Sequence, residues 1–258
     1  MAKQFTSSYL NGGRVERTAH GVLRSQQHPW PAAVTEALLL LRDAGFSDAP
    51  VVLEQSASGT VELTWVSGRA LPDPVPGWAA SRKVLVQVVD LVAAATMAGA
   101  GVASRLESND WLVPPMRGDC FIHGDPHPGN VVFEGRRPVG LIDFEVATLG
   151  SEAISLASLI FSWAPAEPLE ITPWDGRLSD VDAVARVQEI LRRWPKKHEP
   201  EHVMHAMGEF LDWRASWLRV LSSAGNPNAY AALRHAEDSD YRRATYGRVA
   251  DAYREGEF

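Results

Sequence analysis

Near residues 67–77 this 258-residue chain changes character. Ser67-Gly68, then Pro72, Pro74, Pro76 and Gly77, punctuate the segment. Proline fixes φ and removes an amide donor, so neither a helix nor a central strand runs through it. Upstream, short elements alternate. Gly21-Val22-Leu23-Arg24 reads as a strand, and Trp30 to Ala44 reads as a helix with Val34, Ala37, Leu38 and Leu41 on one stripe and Gly45 at its stop. Pro50 to Leu53 and Thr60 to Val66 read as two strands joined by Gln55-Ser56-Ala57-Ser58-Gly59, a hairpin. Downstream the pattern is helical. Ser81 to Gly99 is apolar on most faces, which predicts a buried central helix. Glu152 to Trp163, Ser179 to Trp194, Pro200 to Ser222 and Asn228 to the end read as further helices. Only residues 120–149 interrupt them, with Val131-Val132-Phe133 and Val139-Gly140-Leu141-Ile142 flanking Glu134-Gly135-Arg136-Arg137 as a second hairpin. The expectation is an α+β chain in two lobes: a small α/β lobe over 1–66, a linker at 67–77, and a larger helical lobe over 78–258.

Composition removes several alternatives. Apolar residues at 45% and charged residues at 22% exclude disordered and fibrous classes. A net charge of −7 argues against bulk electrostatic binding to nucleic acid. The uncharged run Leu91 to Ser104 is too short to span a bilayer, and no basic region precedes an apolar core at the N-terminus. A single cysteine, Cys120, makes no internal disulfide, so a reducing cytoplasm is the expected compartment.

The chemistry concentrates in His123-Gly124-Asp125-Pro126-His127-Pro128-Gly129-Asn130, followed by Ile142-Asp143-Phe144-Glu145. Phosphoryl transfer needs a carboxylate beside the acceptor hydroxyl and hard oxygen ligands that hold Mg²⁺ against nucleotide phosphates. Asp125 and Asn130 lie five residues apart on a loop tightened by two prolines and a glycine. Asp143 ends an apolar strand that a hairpin can return opposite Asn130. A rival reading is a zinc site from His123, Asp125 and His127 with His202 or His205 as a remote ligand. The bland alternative is a polar turn in which Asp and Asn merely cap the chain.

The pattern resembles the catalytic core of the aminoglycoside phosphotransferase and choline kinase group. His-Gly-Asp-x-x-x-x-Asn is matched at His123, Gly124, Asp125 and Asn130, and the following Asp-Phe-Glu element at Asp143, Phe144 and Glu145. The resemblance implies a bilobal protein-kinase-like fold, ATP or GTP as co-substrate, Mg²⁺, and a small hydroxyl-bearing acceptor. It implies that Asp125 is the catalytic aspartate, that Asn130 and Asp143 are the Mg²⁺ ligands, and that His123 braces the loop. It also points to Thr64-Trp65-Val66 as the interlobe hinge, with Thr64 and Val66 backbone groups on adenine.

Two family positions differ. The strand lysine that would hold the α- and β-phosphates is replaced by Arg24, whose partner by resemblance is Glu36; the other reading makes both solvated surface charges. Ser155, in Ile154-Ser155-Leu156-Ala157, stands where the family commonly carries an aspartate that supports the catalytic loop. No Gly-x-Gly-x-x-Gly loop is present. These departures leave a catalytically weak nucleotide-binding module, acting in immunity or interaction, as the alternative to a kinase.

For the acceptor, Glu201, Glu209, Asp212, Trp213 and Trp217 lie on one helical segment, and Glu167, Glu170, Trp174 and Asp175 precede it. Acids beside indoles suit an amine-bearing natural product or antibiotic. The competing expectation is that Phe210, Trp213 and Trp217 form a buried stripe with exposed acids opposite.

Overall fold

The computed structural model describes residues 5–6, 14–18, 21–25, 30–56, 61–72, 75–164, 180–223, 225, 229–230, 232–233 and 237–256. A five-stranded antiparallel sheet builds the first lobe, in the order β1 (Phe5–Thr6), β2 (Arg14–Arg17), β3 (Val22–Ser25), β5 (Val61–Leu63), β4 (Val52–Gln55). Helix α1 (Ala32–Asp43) buries Val34, Ala37, Leu38 and Leu41, the stripe expected from the 3.6-residue period. It stops at Gly45, whose φ of +95 suits a residue without a Cβ.

The punctuated segment is more than a spacer. Within it β6 (Arg69–Ala70) pairs antiparallel with β8 (Val131–Glu134), which pairs in turn with β9 (Arg137–Leu141). The chain between the lobes is therefore the edge strand of the second lobe's hairpin. A 3₁₀ turn at Gly77–Ala80 leads into α2 (Arg82–Ala103), which buries Val84, Leu85, Val88, Val89, Leu91 and Val92. This helix is long and apolar enough to cross a membrane by length and composition, yet more than half of its apolar window is buried in the protein. It packs against α1, β9, and the elements that follow: β7 (Cys120–Ile122), α3 (Glu152–Trp163) and α4 (Asp180–Arg193).

Strand β10 (Thr148–Gly150) pairs with β7, and Ser151 then caps α3 by accepting the Ile154 amide on its hydroxyl at 3.2 Å. Helix α5 (Pro200–Ser223) lies on α3, and α6 (Ser239–Glu255) lies on α4 and α5. The C-terminal stretch, expected as a helix from Asn228, begins its long helix only at Ser239, where the Asp238 carboxylate accepts the amides of Asp240 and Tyr241. Tyr241, Thr245, Val249 and Ala252 make α6 a packed helix.

Candidate active site

The site grows from three elements that converge on the loop after β7. Gly124 adopts φ +78, turning the chain so that Asp125 follows a buried strand end directly. His123 is buried and spans the loop: the Asp125 amide donates to Nδ1 at 3.2 Å, and Nε2–H donates to the Ile142 carbonyl at 2.8 Å. Those two bonds specify the neutral Nε2–H tautomer. Burial pushes its pKa below the ordinary imidazole value, against the pull of the Ile142 carbonyl, Asp125 and Asp143. His123 therefore works as a brace that ties Asp125 to the residue before Asp143.

Asn130 makes the second tie. Its side-chain amide donates to the Asp125 carbonyl at 2.9 Å, its backbone amide donates to His127 O at 2.8 Å, and its carbonyl accepts Ile142 N–H at 2.9 Å. With its nitrogen on Asp125, its oxygen Oδ1 is the acceptor available to a cation. Asp143, 6% exposed, is the one described non-glycine residue with positive φ, at φ 69 and ψ 55. An L-residue with a Cβ is held in that region at a cost of about 1–3 kcal/mol, a strain that clusters at functional sites. One amide oxygen and one carboxylate are a hard donor set that fits Mg²⁺, which completes its octahedron with phosphates and water. The zinc alternative is not assembled. Among the described residues no group of three or more His, Cys, Asp or Glu side chains could hold a metal. His205 instead faces Glu209 at 3.7 Å, and His202 faces His198 at 3.4 Å.

Ser155 does not reach the loop. The Thr96 hydroxyl donates to Val92 O at 2.8 Å, so the Ser155 hydroxyl donates to Thr96 Oγ1 at 2.7 Å, and the pair is sealed in the core. The neighbouring Cys120 thiol lies against Thr96 O, and burial pushes it up to about 12, far from thiolate chemistry. Loop support comes from two tryptophans instead. Trp163 Nε1–H donates to the Pro126 carbonyl at 2.7 Å, and the Trp213 ring packs on Gly124 so closely that an added Cβ would lie 2.8 Å from Cη2. Trp163 is itself fixed, because the buried Arg186 guanidinium donates to its carbonyl and, at 2.7 Å, to Ala80 O. Nothing in the sequence flagged Trp163, whose role rests on a contact 37 residues away.

On the nucleotide side, Glu36 is engaged by a distant loop. Both of its carboxylate oxygens accept backbone amides, Glu107 at 2.8 Å and Ser108 at 2.9 Å, while Asp110 caps the start of α1 at the Ala32 amide. Glu36 is committed to the loop after α2, because that loop's amides have no strand or helix partner and a carboxylate satisfies two at once. Arg24 occupies β3 opposite Val61, and its side chain lies outside the described residues. The Thr64 amide donates to Val51 O at 2.8 Å and its hydroxyl accepts the Val51 amide at 2.8 Å. Of the Thr64 backbone groups expected on adenine, the amide is thus engaged by Val51, just beyond the ends of β4 and β5, and the chain continues through the half-buried Trp65 and Val66. Val66 packs on Gly140 of β9.

On α5, Phe210, Trp213 and Trp217 are buried, whereas Glu201, Glu209 and Asp212 are exposed, with Asp212 paired to Arg242. The stripe is core, and the acids sit on the outer face. Glu167, Glu170, Trp174 and Asp175 lie outside the described residues.

Comparison with known proteins agrees with this architecture. Residues 73–173 match the model of the phosphotransferase enzyme family, a span that holds the whole Asp125–Asn130–Asp143 cluster. No curated protein matches the chain in sequence. Among solved structures, a choline/ethanolamine kinase family protein from Mesorhizobium loti superposes with a TM-score of 0.55 at 14% identity, covering 98% of this chain and 92% of its own. Choline kinase from Cryptosporidium parvum Iowa II gives 0.54 at 9%, covering 99% and 89%. Spectinomycin phosphotransferase, in complex with ADP and spectinomycin, gives 0.56 at 10%, covering 96% and 92%. The chain has the bilobal protein-kinase-like fold of these phosphotransferases along nearly its whole length, and its segment 73–173 carries the match to the phosphotransferase enzyme family.

Proposed function

We propose that this protein is a cytoplasmic small-molecule kinase that transfers the γ-phosphoryl group of ATP or GTP to a hydroxyl of a natural product, antibiotics included. The observation that carries this reading is the double tie of Asp125 to the Asp143 strand, through His123 to Ile142 O and through Asn130. Those ties fix the backbone from which the Asp125 carboxylate projects relative to the chain that carries the two oxygen donors, and positioning supplies most of the rate in phosphoryl transfer. Asp125 accepts the hydrogen bond of the acceptor hydroxyl, orients its oxygen toward the γ-phosphorus and takes the proton as the new bond forms. Asn130 and Asp143 would hold Mg²⁺, which when bound neutralises charge on the phosphates.

Thermal unfolding with and without Mg·ATP and Mg·GTP tests the donor site. A ligand at a hundred times its dissociation constant adds about 2.7 kcal/mol of stability. The stabilisation is expected to need metal and to be lost in Asp143→Asn. Asp125→Asn should keep the stabilisation and lose transfer to a panel of natural-product alcohols; unchanged turnover would remove Asp125 as the base. The engagement of Glu36 elsewhere favours a second reading, a weak relative acting as an immunity or interaction module. Nucleotide binding without transfer to any alcohol selects that reading.

A further inference from the structure

Arg214 on α5 is a cation that the chemistry above does not use. It is 9% exposed, its Cζ lies 4.9 Å from the Phe161 ring centre and 5.4 Å from that of Trp217, and its Nε is buried without a hydrogen-bond partner. Among the described residues no carboxylate reaches it within ion-pair distance. A largely buried guanidinium whose Nε–H finds no acceptor is costly, and burial lowers its pKa, with the negative charge of Asp125 opposing that shift most strongly. The two helices that supply Arg214 and its aromatic partners, α3 and α5, also carry the tryptophans that hold the candidate loop. Phe161 lies one half-turn before Trp163, the donor to Pro126 O, and Trp213, the neighbour of Arg214, packs on Gly124. Phe161 also meets Tyr241 of α6 edge-on at 6.1 Å, which closes the aromatic wall.

Aromatic faces of this kind would suit a ligand cation. Here the protein's own cation lies on those faces, and a second positive charge would meet it in a low-dielectric site. A buried arginine fork is instead matched by a planar or tetrahedral oxyanion accepting parallel N–H bonds. Asp125 is within electrostatic reach, but its oxygens are needed for the acceptor hydroxyl.

We propose that Arg214 is the anion-recognising residue of the acceptor pocket, and that the acceptor is a hydroxyl-bearing oxyanion, a carboxylate or phosphate ester, held by Arg214 with its hydroxyl at Asp125. The proposal rests on the phosphotransferase reading. In the step it serves, the acceptor oxygen bonds to the γ-phosphorus as the bridging oxygen–γ-phosphorus bond breaks. The nucleoside diphosphate leaves, and the hydroxyl proton passes to Asp125 and then to water.

The test uses the full chain with Mg·AMP-PNP for binding and Mg·ATP for transfer, and matched polyol probes differing at one end. Gluconate, gluconamide and glucamine form one set, and glycerate, glyceramide, 3-aminopropane-1,2-diol and glycerol 3-phosphate another. Binding is read by tryptophan fluorescence and transfer by nucleoside diphosphate release. The oxyanion members should bind at least about tenfold tighter than the amides and amines, as for a hydrogen bond to a charged group. Glycerate against glycerol 3-phosphate separates carboxylate from phosphate. Arg214→Met should erase the preference for oxyanion over amide, and should melt no lower than wild type, because it removes an under-paired buried charge. Arg214→Lys should retain part of the preference. An amine preference, a preference surviving in Arg214→Met, binding of no probe, or a large loss of melting temperature in Arg214→Met would each overturn the proposal. Transfer without oxyanion preference overturns the role of Arg214 and leaves the kinase reading standing. Oxyanion binding lost in Arg214→Met, without metal-dependent nucleotide binding, keeps the pocket and overturns the kinase reading.

Discussion

Replacing Gly124 by alanine isolates what the Trp213 wall does for the catalytic loop. The new Cβ would lie 2.8 Å from Trp213 Cη2, 3.2 Å from Cζ3 and 3.0 Å from Val146 O, at a backbone φ of +78. Two penalties add. The left-handed backbone costs an L-residue about 1 kcal/mol or slightly more, and crowding in a packed site costs about 1–3 kcal/mol. Gly135, in the β8–β9 turn, is an internal control, because its φ is +62 and nothing lies within 4 Å of an added Cβ. Gly135→Ala meets the first penalty alone. For a chain of this size each kcal/mol moves the melting temperature by about 2–4 °C. Gly124→Ala, at about 3 kcal/mol, should therefore melt roughly 6–12 °C lower, and Gly135→Ala roughly 2–4 °C lower. Differential scanning calorimetry reads both. Trp213→Phe removes the crowded ring atoms, so the double variant with Gly124→Ala should lose less than the sum of the singles. Equal melting shifts at the two glycines, or strict additivity in the double variant, would refute the packing argument.

Glu36→Ala should lower stability by about 1–2 kcal/mol through the two orphaned amides, while the nucleotide dissociation constant stays put; a tenfold weaker nucleotide affinity would return Glu36 to the phosphate site. Trp163→Phe keeps most of the ring but drops the donor to Pro126 O, so turnover should fall more than nucleotide affinity, and equal losses in both would detach Trp163 from loop positioning. His198, packed beside Glu152 and His202, has its pKa lowered, first by burial. Its neutral form is the folded one, so its contribution is intact above the ordinary value of about 6.5 and declines as pH falls below it, by at most about 1.4 kcal/mol per pH unit. Because His123 is lowered for the same reason, His198→Gln should reduce this slope without abolishing it. A slope unchanged in that variant, measured by urea unfolding at pH 5.5 to 7.5, would exclude His198 as a source.

What could be read from the sequence was what repeats locally. The α1 stripe, the apolar length of α2 and the bounds of α3 follow from a 3.6-residue period, and the His123 to Asn130 loop follows from residue order. Strands of two or three residues such as β6 and β10 carry no period. They exist only because distant segments, β8 and β7, offer them hydrogen bonds. The candidate site was legible in its acids and amide but not in what packs on its loop. Trp163 and Trp213 are ordinary letters in apolar stretches until α3 and α5 pack against that loop. Glu36 shows the opposite limit: the resemblance implied a pair with Arg24, and no local pattern announced that it also accepts two loop amides 71 and 72 residues away.

The pairing of β6 with β8 bears on how this protein can be cut. The family match begins at residue 73, and a shortened gene opening there would encode the Asp125–Asn130–Asp143 cluster intact. It would also strip Arg69 and Ala70 from the hairpin, exposing the backbone donors and acceptors of β8 along an apolar edge of Val132 and Phe133. Such an edge recruits strands from other copies. A soluble fragment of the larger lobe therefore has to start before Gly68, inside the segment whose composition marks it as a mere connector.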